Sequence, residues 1–200
     1  MPNDQAPTEH GEKNGLPILS FTGRAEFAAW LDEHVGDRGI WLRIAKKGTG
    51  IESVDHDQAL DVALRYGWID GTAQRVDDVY FIQKFTPRTK RSRWSKINRA
   101  SAERLIEAGE MRPAGLREVE AAKADGRWEA AYAGAAGSTV PDDLRAALDA
   151  NPEAAAFFET LTSQNRYAIL YRVGEAKRPE TRARRIEKFV GMLERGETLH

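Results

Sequence analysis

The 200-residue chain contains no cysteine, which excludes disulfides, thiolate metal sites and a thiol nucleophile. Histidine is scarce as well: His10, His34, His56 and His200 are the whole complement. None has a partner at metal-ligand spacing, so no metal is expected. No apolar run approaches the roughly 18 residues that span a bilayer, so no membrane span is expected. Residues 1–15 lack the apolar core of a secretory signal. A formal net charge of −1 does not suit wholesale binding to a polyanion. The familiar catalytic signatures are missing too: there is no GxSxG, no HExxH and no Walker-type glycine loop. What remains is a composition of 41% apolar and 30% charged residues, ordinary for a globular protein of one large or two small domains.

Residues 1–15 (MPNDQAPTEHGEKNG) show no periodicity and read as a disordered arm. An α+β domain is expected over 16–135. Thr22 is placed as the cap of a first helix carrying Phe27, Trp30, Leu31 and Val35 at helical spacing. In GIWLRIAKK, Ile40, Leu42 and Ile44 alternate with Trp41, Arg43 and Ala45, a strand pattern. Asp55 followed by Gln58 predicts a capping box, with Val54 as its hydrophobic staple. Ile69–Val76 and Val79–Phe85 read as a hairpin turning at Asp77-Asp78. Ser95 is placed as the cap of a helix with Ile97, Ser101, Leu105 and Ile106 on one side, and Pro113 opens another. Residues 130–139 (AAYAGAAGST) form the linker candidate. Beyond it, 140–200 reads as all-helical: proline at first helical positions in Val140-Pro141 and Asn151-Pro152, a Ser163 cap, and Pro179 opening a helix with an Ile186/Phe189/Val190/Leu193 stripe. The fold class is α+β, a small antiparallel or mixed sheet with packed helices, followed by an all-helical C-terminal region.

Charge is segregated. Residues 84–104 hold eight basic side chains and one acid, and residues 172–195 hold eight against four. In Gly67-Trp68-Ile69-Asp70-Gly71, Trp68 and Asp70 share one face of an extended segment. Further on, a basic loop delivers Arg88, Arg91 and Arg93 to a helix start at Ser95, where free N–H groups and the positive dipole end would favour an anion. The candidate ligand-binding residues are therefore Trp68, Asp70, Arg88, Arg93, Trp94, Ser95 and Asn98. Each has a structural alternative: Asp70 as a turn or ion-pair residue, Trp94 as core, the arginines as a solvated face.

The segments ALDVALRYGWIDG (59–71), FTPR (85–88), SRWSKIN (92–98), GEMRPAG (109–115), DGRW (125–128) and AKRPETRARRIEKFVGML (176–193) together resemble the YdeI/OmpD-associated, or bacteriocin-protection, family. The resemblance runs from about residue 18 to the end. It implies a cytoplasmic bacterial protein linked to tolerance of antimicrobial peptides or other stress. That family commonly has a cysteine where this chain has Arg65, so thiol chemistry cannot operate here. The first functional reading is a non-enzymatic protein, needing no cofactor, that binds a small anionic or polar ligand at the GWIDG and FTPR/SRWSKIN segments. The alternative is an enzyme using Asp70 as general base in the same cleft. A third is a nucleic-acid-associated protein acting through 84–104 and 172–195, which the long acidic segments disfavour.

Overall fold

In the computed structural model, residues 7–134 and 137–200 are described. The chain divides into two units, residues 1–132 and 133–200. Unit 1 is built on a five-stranded mixed sheet of β1 (Thr8–Lys13), β2 (Leu16–Ser20), β3 (Ile40–Ala45), β4 (Trp68–Arg75) and β5 (Tyr80–Pro87), in spatial order β1-β2-β3-β5-β4. β2 and β3 run parallel, joined by the crossover helix α1 (Arg24–His34), and the other neighbours are antiparallel. Three more helices follow in this unit: α2 (His56–Arg65), α3 (Lys96–Glu107) and α4 (Pro113–Ala124).

The alternation in β3 sorts its side chains as the period of two requires. Ile40, Leu42 and Ile44 enter a core with Phe27, Leu31, Val62, Trp68 and Phe85. Trp41 points the other way, onto Leu16 and Ile82, and its Nε1–H donates to the Lys13 carbonyl at 3.1 Å. α2 starts where Asp55 places it: the side chain accepts from Gln58 N, and Gln58 returns the bond to Asp55 N. Val54 is fully buried beside it. A second core forms where Leu64, Trp94, Leu105, Val119 and Trp128 meet.

Several sequence expectations are corrected. Residues 8–13 are not an arm but strand β1, paired with β2 from Thr8↔Ser20 to Lys13↔Leu16; residues 1–6 of the expected arm lie outside the described residues. The strand is polar and exposed; backbone pairing with β2 orders it, helped by contacts of His10 with Ser20 and Arg43. Asn14 and Gly15 both adopt positive φ, as a two-residue hairpin turn requires. Thr22 does not cap α1: Gly23 holds that position, and Thr22 instead donates its N–H and hydroxyl to Glu26 Oε2 at 2.6 and 2.8 Å. Ser95 does cap α3, accepting from Asn98 N at 3.0 Å. The buried face of α3 is Asn98, Ala102 and Leu105, while Ile97 and Ile106 are exposed. Of the expected linker, Ala131 packs into the second core, and residues 135 and 136 lie outside the described residues.

Unit 2 consists of α5 (Asp142–Asp149), α6 (Pro152–Thr160), α7 (Ser163–Gly174) and α8 (Pro179–Glu194). They enclose a core that includes Leu144, Phe158, Ile169, Val173, Phe189 and Leu193. Asn151 caps α6 with Pro152 in its first turn, as expected. Pro141 is the cap residue of α5 rather than its first helical residue, and Thr162, not Ser163, caps α7. Arg182 ties α8 to α5 through Asp143 (2.8 Å) and to the Val173 carbonyl (2.9 Å).

The first turn of α4 sits directly on the end of α2. A Cβ on Gly115 would stand 2.3 Å from the Arg65 carbonyl oxygen, and the Arg112 N–H donates to that same oxygen at 3.0 Å. Backbone meets backbone there, so no flexible side chain can yield. We expect Gly115→Ala to destabilise unit 1 by about 1–3 kcal/mol through overpacking, read as a lower denaturation midpoint. An unchanged midpoint would show that α4 is not seated this closely.

Candidate functional site

Pairing of β4 with β5 places Trp68 opposite Pro87 and Asp70 opposite Phe85. One residue beyond the ladder, Arg88 N–H donates to the Gly67 carbonyl at 2.9 Å. The GWIDG and FTPR segments therefore lie side by side. Gly67 takes a φ of +76° here, and a Cβ on it would stand 3.0 Å from the Ala114 carbonyl, so glycine is required on both conformational and packing grounds.

The Arg88 side chain turns inward and is only 5% exposed. Its guanidinium lies over the Trp94 ring, 3.5 Å from the centroid, and Nη1 donates to the Arg93 carbonyl at 3.2 Å. Arg88 Nε and Nη2 and Trp94 Nε1 are buried without a hydrogen-bond partner among the described residues. Burial pushes the Arg88 pKa down to about 10, against the opposing pull of Glu118 and Asp70. The group thus stays charged at neutral pH. Trp94 in turn meets Trp128 edge-on at 4.8 Å. A turn at Thr89–Ser92, closed by Ser92 N to the Thr89 carbonyl, adjoins Arg88. Arg127 Nη1 pins that turn through the Thr89 and Ser92 carbonyls at 3.3 and 3.0 Å.

The remaining candidates separate. Trp68 is fully buried; its Nε1–H donates to the Val35 carbonyl at 3.1 Å and its ring packs edge-on against Trp30. It is core, with no face left for a ligand. Ser95 and Asn98 are buried and engaged in the cap. Lys96 N–H, which the sequence leaves free for an anion, donates to the Tyr132 carbonyl at 2.8 Å. The start of α3 is therefore largely closed by backbone from residue 132, a long-range partner that cap spacing cannot reveal. Arg93 stacks 4.9 Å from the Tyr132 ring.

Asp70 does not form an ion pair with Arg88. Its Oδ2 lies 3.3 Å from His56 Nε2, and His56 Nδ1 lies 3.3 Å from Asp57 Oδ1. His56, at the first position of α2, is the residue that sequence reasoning missed. The Asp55 cap fixes its place in the helix, but its neighbour Asp70 comes from another element. A carboxylate at each ring nitrogen favours the imidazolium, in which both nitrogens donate. The hydrogen bond to Asp70 is the largest cause raising the His56 pKa, partly opposed by burial. An imidazole held this way is a poor proton acceptor, and Asp70 is itself committed to it, which weakens the role of Asp70 as general base.

Several side chains of the basic segments pair with carboxylates of the protein. Arg104 Nη2 contacts both oxygens of Asp61 at 2.7 Å, Arg99 pairs with Glu103 and Glu129, Arg182 with Asp143 and Arg195 with Glu197.

Because the His56 pKa is raised on folding, the stability it contributes is complete below the ordinary value of 6.5. It is lost as pH rises through the higher folded value. The pair is partly exposed, so the effect is under about 1 kcal/mol. We expect Asp70→Asn to lower the His56 titration midpoint in an NMR pH series and to flatten stability across this window. An unshifted midpoint would remove the pair.

Among the described residues no helix is long and apolar enough to cross a membrane. No curated protein and no solved structure matches the chain significantly. Residues 19–118, which include β3, β4, β5 and Arg88 with Trp94, match the family described as "Domain of unknown function (DUF8412)". Residues 138–196, which span the four helices of unit 2, match the family "Bacteriocin-protection, YdeI or OmpD-Associated". The chain thus belongs to the family described as DUF8412, and the helices of its second unit match the YdeI/OmpD-associated, bacteriocin-protection model.

Proposed function

We propose that the protein serves a bacteriocin-protection or related stress role by binding a small oxyanion, a phosphate or carboxylate, at Arg88 and Trp94. The family match of unit 2 supports the broad role. The observation that carries the ligand reading is the set of three buried N–H groups, Arg88 Nε and Nη2 and Trp94 Nε1, with no acceptor among the described residues. Buried donors are paired in the great majority of cases, and a buried guanidinium without an anion is costly. A planar or tetrahedral oxyanion supplies several acceptors at once and suits the arginine fork. Trp94 keeps the cation stacked in place, and Asp70, neutralised by His56, reduces repulsion of an incoming anion. The donors are sealed from solvent, so entry requires the Thr89–Ser92 turn to lift from Arg127. Arg88, Arg93 and Trp94 remain the ligand-facing set of this reading, with Asp70 held beside them by His56; Trp68, Ser95 and Asn98 support it from the core.

Thermal unfolding with increasing phosphate or acetate tests it. A ligand present at a hundredfold excess over its Kd stabilises by about 2.7 kcal/mol. We expect one of the two anions to raise the wild-type midpoint, and Arg88→Lys to abolish the rise. Trp94→Phe keeps the stacked ring but removes one donor, and is expected to weaken binding severalfold. If neither anion moves the wild-type midpoint, or if Arg88→Lys responds like wild type while folded, the oxyanion site does not exist.

A further inference from the structure

Away from Arg88, strands β1, β2, β3 and β5 of unit 1, with the start of α1 and residues 51–53, line an open cleft of about 240 Å³. It lies just below the roughly 300–1,000 Å³ of drug-sized pockets, which suits a ligand the size of a single amino acid rather than a nucleotide or a peptide. Its lining carries both charge signs: Arg43 on one hand, Glu26 and Glu52 on the other, with Phe21 and Ile51 as apolar wall.

The cationic part is held in one orientation. The Arg43 guanidinium stacks 3.7 Å from the Tyr80 ring centroid, and its Nη1 lies 3.1 Å from His10 Nδ1. Arginine only donates, so Nδ1 must be the bare nitrogen and Nε2 must carry the proton. Nε2 lies 2.9 Å from Ser20 Oγ, which therefore accepts, leaving the Ser20 hydroxyl hydrogen available to a ligand. This polarity is the reverse of a catalytic serine–histidine dyad, in which the imidazole accepts from the serine, so acyl-transfer chemistry is not what the chain is built for. It presents donors instead. Arg43 forms no ion pair with a carboxylate among the described residues, although its charge reaches Asp77, and the Glu26 carboxylate is fixed by the Thr22 N–H and hydroxyl through one oxygen only.

A simple anion in this cavity would meet two uncompensated carboxylates, and a simple cation would meet Arg43. A molecule bearing both charges satisfies both sides. We propose that the cavity binds a small zwitterion, an α-amino acid with an apolar side chain, its carboxylate on Arg43 and Ser20, its ammonium on the glutamates, its side chain against Phe21 and Ile51.

The test is calorimetric titration of the full chain with L-leucine, 4-methylpentanoate and 3-methylbutylamine, the last two each lacking one charge. Saturable leucine binding is expected, with both comparators at least tenfold weaker. Arg43→Gln and Glu26→Gln are each expected to weaken leucine binding at least tenfold, with thermal unfolding confirming that both variants fold. Arg88→Lys should leave leucine binding unchanged, which separates this site from the oxyanion site. Absence of saturable leucine binding, equal binding of 4-methylpentanoate, or wild-type affinity in folded Arg43→Gln would each overturn the proposal.

Discussion

At the tip of the β4–β5 hairpin, Asp77 Oδ1 accepts the Val79 and Tyr80 N–H groups at 2.7 and 2.6 Å, and these bonds hold its carboxyl below the usual carboxylate range. A turn fastened this way sets the pairing from Arg75↔Phe81 to Ala73↔Gln83; a shift of register between Ala73 and Asp70 then sets Asp70↔Phe85 and Trp68↔Pro87, and a slip of one residue would move side chains to the other face. In the observed register, Trp68 and Phe85 both face the core and Arg88 leaves the ladder beside Gly67. Its side chain then has one direction to go, onto Trp94. The positions of Asp70 beside His56 and of Arg88 beneath its turn both follow from that register.

Arg88 is treated differently from its neighbours in the basic run. Arg104 and Arg99 find carboxylates at the surface, where the net value of a pair is small. Arg88 is buried with an aromatic face and one carbonyl as partners. Stacking on indole returns on the order of 2 kcal/mol when the cation is desolvated, less than burial of an ion costs. The rest of the fold must offset the difference, through the second core around Trp94 and Trp128. An apolar residue would cost less at this position.

Local signals in the sequence were legible wherever one element carried the whole message. The Asp55–Gln58 box, the Ser95 and Asn151 caps, the β3 alternation and the Asp77-Asp78 turn all appear where their residue types place them. The Asn14-Gly15 pair was an equally local signal, a hairpin dipeptide, but its flanks are polar rather than alternating, so the strand preceding it looked like an arm. The α3 stripe failed for a different reason. Ile97 and Ile106 fit the helical period as well as Leu105 does, and period alone cannot say which side faces α2 and α4.

The amino-acid sequence by itself determined the α+β class, the helical C-terminal unit, most helix starts and the meeting of the GWIDG and FTPR segments, because caps, turns and alternation act over a few residues. Tertiary structure alone decided the partners. It put His56 rather than Arg88 against Asp70, closed the start of α3 with the Tyr132 carbonyl, and joined His10, Ser20 and Arg43 from three different strands. Those outcomes depend on which side chains win a shared space once the chain has closed on itself, and that competition is between residues far apart in sequence.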